Sequence, residues 1–233
     1  MLKSQENTEP LEKLLEELQA CGIKVSLCPG QVSPRTGNGA HWATADIDHR
    51  GARVFFPEHA ATHAIFHEVA HLHRAFVERQ PILVATPDFE AHSGNIQEIN
   101  NDLDHIAIIR DEVAYYPEAV AYWTSDFQRV LNENRCTQAQ TEVESLNSCY
   151  ALMRAWMVAC TSLQDIGVVG AMRSELVRFG AAKAADDLAR TIERCGGDKM
   201  GCLRALQVAQ TYPQARHFNL LAYDPARKRF QPV

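Results

Sequence analysis

The chain has 233 residues, 46% hydrophobic and 22% charged, the balance of a soluble globular protein rather than a disordered one. A net charge of −6, with no dense Lys/Arg cluster beyond Arg227-Lys228-Arg229, speaks against a nucleic-acid partner. No run approaches the ~18 apolar residues of a membrane span, the first residues lack the apolar core of a signal peptide, and seven irregularly spaced cysteines argue against a secreted disulfide framework, so the expected setting is cytoplasmic.

Taken in order, Glu9 to Ala20 predicts an amphipathic helix, with Leu11, Leu14, Leu15 and Leu18 at helical spacing and Cys21-Gly22 as its stop. Ile23 to Leu27 alternates as a strand, Pro29 to Gly39 reads as a loop, and His41–Asp48 and Ala52–Phe56 give two more strands. A long helix from about Glu58 to Arg79 follows, with Pro57-Glu58 as its start. The strand just before it is a candidate edge for pairing with an extended peptide. Pro81 and Pro87 make Gln80–His92 a loop, and Ser93 or Gly94 opens a helix through Ile96, Ile99, Leu103, Ile106 and Ile109, interrupted at Tyr116-Pro117. Further helices are expected over Glu118–Asn132, Thr137–Leu163, Ala171–Phe179, Ala181–Arg194 and Met200–Gln210, with Gly167–Gly170 as a break. The segment from Phe218 reads as a small β-hairpin or a loose tail. The resulting class is α+β and mainly helical, a small N-terminal sheet packed on the long helix. It is expected as a single domain over 1–233, with 1–110 the core of the site and 111–233 a helical extension.

The chemistry lies in His67-Glu68-Val69-Ala70-His71, the H-E-x-x-H pattern. Residues four apart share one helix face, so His67 and His71 can offer their imidazoles to one Zn²⁺ ion. Glu68 sits on the flank of that face, where a carboxylate can act as general base on a water that the ion activates. Ala60, Ala61, Ala64, Ile65, Val69, Ala70 and Leu72 surround the pattern with helix formers and apolar residues, which favours a buried helix over a solvated His-rich face.

A catalytic zinc takes three protein ligands and leaves one position open. The stretch Gln97-Glu98-Ile99-Asn100-Asn101-Asp102-Leu103-Asp104-His105 supplies candidates, because Glu98, Asp102 and His105 share a face and Ile99, Leu103 and Ile106 form a neighbouring apolar one. The two motifs together, over about residues 52–106, resemble the zincin metallopeptidases, in particular the glutamate-zincins related to thermolysin, and also small bacterial zincins. The resemblance implies that Glu98 is the third ligand, with Asp102 hydrogen-bonding a ligand His, although Gln97 stands where those enzymes carry Asn. Asp102, Asp104 and His105 are the alternatives for the third position. The extended metzincin pattern is absent, since Arg74 falls where its Gly belongs.

The implied activity is zinc-dependent hydrolysis of a peptide bond in a peptide or protein substrate, with no membrane or nucleic-acid partner. One alternative is another zinc amidohydrolase, with Cys28 as a thiolate ligand. The other is a non-catalytic zinc-binding regulatory protein. His63, one turn before His67, reads as a hydrogen-bonded neighbour, and His59 and His73 read as surface residues. His105 could also stabilise an oxyanion, and Tyr115 and Tyr116 read as packing or as residues reaching over the site. Trp123, Met153 and Trp156 are expected in the core. Asp46 and Asp48, with His49, are expected in a turn.

Overall fold

The computed structural model describes residues 7–34, 44–48, 51–137, 141–163, 167–209 and 214–233. The elements are α1 (Glu9–Ala20), β1 (Val25–Pro29), β2 (Thr44–Asp48), β3 (Gly51–Phe56), α2 (Thr62–Phe76), β4 (Ile82–Ala85), α3 (Ser93–Tyr115), α4 (Ala119–Glu133), α5 (Glu142–Ser162), α6 (Gly167–Arg178), α7 (Ala182–Cys195), α8 (Lys199–Ala209), β5 (Phe218–Asp224) and β6 (Arg229–Pro232). The class is α+β and mainly helical, with one small sheet near the N-terminus and a second, of order β4-β5-β6, near the C-terminus. Among the described residues no helix is long and apolar enough to cross a membrane. The chain divides into two compact units: Met1–Ile82 with Ala114–Tyr116 and Leu220–Val233, and Leu83–Val113 with Pro117–Asn219.

In the first unit α1 has Pro10 in its first turn and Glu9 and Glu12 at its positive dipole end, and it buries Leu11 and Leu18. Full burial of Leu18 contributes about 1.5–3 kcal/mol. The sheet has the order β1-β3-β2, with β1 parallel and β2 antiparallel to β3; Leu27 and Ala45 both register with Val54. The strand that leads into the H-E-x-x-H helix is therefore central, not the edge expected from its place in the chain; the edges are β1 and β2. Gly51 allows this close pairing. Its φ is 137°, and a Cβ there would lie 2.4 Å from the Lys24 carbonyl oxygen. Asp46 and Asp48 belong to β2 rather than to a turn, while His49 lies outside the described residues.

α2 starts at Thr62, later than expected, because Pro57-Glu58 forms a turn closed by Ala60 N–H donating to the Pro57 carbonyl (2.9 Å). It ends early as well. Arg79 adopts φ 57°, and Gln80 N–H returns to the Arg74 carbonyl at 2.8 Å, which turns the chain out of the helix. Eleven of its fifteen residues are buried, so this is a core helix, packed by α1 and the sheet. The hairpin β5–β6 belongs to this unit through Tyr223 and Phe230, whose rings lie 4.7 and 5.4 Å from that of Phe76.

The second unit is helical. Prolines 81 and 87 bound the four-residue strand β4, where a loop was expected, and a short 3-10 helix at Pro87–His92 leads into α3. Thr141 and Glu144 close a capping box at the start of α5. α6 begins at Gly167, inside the expected break, because Val168 and Met172 are buried one turn apart and hold that first turn against the core. Gly196, in the left-handed region, ends α7. Met153 and Trp156 are buried on α5 and Trp123 on α4, as their spacing predicts.

Candidate metal centre

The spacing of the motif is realised on α2. His67 is buried, His71 is half-buried, and their ring centroids stand 5.0 Å apart at 74°. Taking one ring nitrogen from each, His67, His71 and His105 form a group whose donor atoms all lie within 4.8 Å of one another. Three imidazoles in such a group could hold a metal ion, and imidazole suits zinc, copper and nickel alike. Glu68, next to His67 in sequence, is half-buried and about 100° further round the helix.

The acidic candidates on α3 are engaged elsewhere. Glu98 is two-thirds exposed and accepts a hydrogen bond from Arg154 Nη1 at 3.2 Å. Asp102, the expected partner of a ligand His, accepts from Arg154 Nε at 2.5 Å. Burial pushes the Asp102 carboxyl above its ordinary value, and the Arg154 guanidinium opposes that shift without cancelling it. Asp104 is buried against Lys199, whose ammonium is 2.8 Å from Asp104 Oδ2 and 2.8 Å from Asn100 Oδ1. Among the described residues the group that could hold a metal ion takes in His105, one of the alternatives for the third position, and does not include Glu98.

His63 is buried and His59 exposed. His73 is not the surface residue its position suggested. α1 covers it, and its imidazole bridges Glu17 (2.6 Å) and Glu78 (3.4 Å). Burial alone would lower its pKa, but the two carboxylates outweigh burial and raise it. Tyr116 is buried and Tyr115 half exposed, and both rings pack on Phe66 at 5.3 and 5.8 Å. Cys28 is buried, with Sγ directed at the Ser26 carbonyl.

Three residues that shape α3 escape sequence reasoning: Arg154, Lys199 and Glu112. Arg154 falls in the run Leu152-Met153-Arg154-Ala155-Trp156-Met157, and a charge on a buried helical face is a sign that a partner awaits it. Lys199 opens a short helix and carries no comparable signal. Comparison of the chain with protein-family models, with curated proteins and with solved structures gave no match.

Proposed function

We propose that this chain is a zinc-dependent hydrolase of peptide bonds, with His67, His71 and His105 as protein ligands and Glu68 as general base. The observation that supports the reading is the three-imidazole group built on a helix that also carries Glu68. A zinc ion held there would polarise a carbonyl and lower the pKa of a water towards ~7. Glu68 would take the proton released by that water and deliver it to the departing amine. The zincin resemblance of the motif favours a peptide or protein substrate, but the third ligand departs from the glutamate-zincin pattern. A neutral imidazole in place of a carboxylate would leave the full charge of such an ion uncompensated and so strengthen its pull on water and carbonyl.

Two rival readings are less well supported. A thiolate-ligated amidohydrolase needs a cysteine in the group, and Cys28 points its sulfur at a backbone carbonyl instead. A structural zinc needs four protein donors, and among the described residues the group has three. The test is zinc content together with hydrolysis of an unstructured protein such as casein. Glu68→Gln should keep the zinc and reduce turnover by about 10²–10⁴-fold. Turnover equal to that of the parent rejects the general-base role.

A further inference from the structure

His105 is held from within its own unit. The Trp123 indole, on α4, lies with its ring centroid 5.5 Å from that of His105, tilted by 59°. That separation is within the range of a packed aromatic pair. Trp123 is itself fixed on three sides. Its Nε1–H donates to Glu112 Oε2 at 3.0 Å, and the rings of Tyr122 and Phe127 stand 5.1 and 6.0 Å away. Glu112 is fully buried on α3, seven residues after His105, so the helix that carries the imidazole also carries the anchor of the ring that packs on it. A ligand side chain whose rotation is frozen before the ion arrives loses less entropy on binding, and groups that orient a ligand are worth about 10–100-fold in metal affinity.

We infer that Trp123, anchored by Glu112, is a positioning residue that presents the His105 imidazole to a divalent metal ion. The inference rests on the reading of His105 as a ligand. It also makes Trp123 a built-in reporter, because a paramagnetic ion bound through His105 sits close enough to the indole to quench its fluorescence.

The experiment is titration of the metal-free full-length protein with Zn²⁺ against a chromophoric chelator, and with Co²⁺ while following tryptophan emission. Expected are one tight site in the parent, strong quenching by Co²⁺ that is largely lost in Trp123→Phe, and a 10–100-fold weaker Zn²⁺ site in Trp123→Ala. The decisive measurement is the double variant. In a His105→Ala background, Trp123→Ala should cause no further loss, whereas a merely structural effect on the fold would add. If Trp123→Ala is poorly folded, Glu112→Met, which removes the acceptor of the indole N–H, replaces it and should weaken the site in the same His105-dependent way. A parent site that stays equally tight in these variants, or losses that add in the double variant, overturns the positioning role and leaves the metal reading standing. A parent that binds no divalent ion stoichiometrically overturns both.

Discussion

α2 and α3 contribute to the same group of imidazoles, yet they are organised by different means. On α2 both donors come from a single helical turn, and the burial of eleven residues fixes which face they occupy. On α3 four groups in the stretch 98–105 have the chemistry to bind a cation, and the fold sorts them by giving the carboxylates other cations. Arg154 from α5 takes Glu98 and Asp102, and Lys199 from α8 takes Asp104. A motif contained in one turn is self-sufficient. A ligand chosen from a polar helix face depends on what packs against that face.

The strongest way to break this contrast is to remove the buried cation. Lys199 is 1% exposed and Asp104 nearly as buried, so Lys199→Met removes the ammonium from which Asp104 and Asn100 both accept and should cost about 3–5 kcal/mol. Urea denaturation would show this as a lower midpoint at unchanged slope. Replacing both partners, as Lys199→Met with Asp104→Leu, should recover part of the loss, because the buried carboxylate leaves together with the ammonium that faced it. A single variant as stable as the parent would mean that Lys199 does not hold α3.

Next in size are the ligand candidates themselves. His105→Ala should weaken zinc binding by about 100-fold or more, while Glu98→Ala, which removes an exposed carboxylate already paired with Arg154, should leave the affinity within about threefold. Chelator competition reads both. The reverse ranking would restore the glutamate-zincin ligand set and remove the distinction between the two helices.

The same contrast explains what the sequence disclosed. His67, Glu68 and His71 are legible because their chemistry needs only the helical repeat, and α1 and α4 to α8 are legible because apolar spacing encodes them. On α3, Glu98 and Asp102 match the glutamate-zincin pattern, while Arg154, the residue that engages them, is 52 or more positions away. Nothing local in Glu98-Ile99-Asn100-Asn101-Asp102 reveals that pairing. The burial of His73 is illegible for the same reason, since Glu17, one of the carboxylates it bridges, lies on another helix. The central place of β3 likewise depends on β1, which pairs with it from the far side of a long intervening segment.

The smallest effect tests whether burial, rather than the pairing of a carboxylate with a cation, gives the α3 contacts their weight. Arg173 on α6 and Asp186 on α7 form the same kind of pair as Arg154 and Asp102, with two hydrogen bonds at 2.9 and 2.6 Å, but both side chains are solvent-accessible. Hydrogen bonding by Arg173 holds the Asp186 carboxyl below its ordinary value, helped by the charges of Arg173 and Arg190. A depressed carboxyl pKa means that the unfolded chain takes up the proton first. The pair therefore contributes its stability above the unfolded value of about 3.9 and loses it as pH falls through the lower folded value. Arg173→Met should then melt slightly below the parent near neutral pH, and the difference should close as the pH is lowered from about 5 through 3. Salt should shrink the gap at neutral pH, as it does for exposed pairs, whereas the Lys199→Met penalty should be insensitive to it. A neutral-pH gap as large as that of Lys199→Met would show that pairing alone carries the energy.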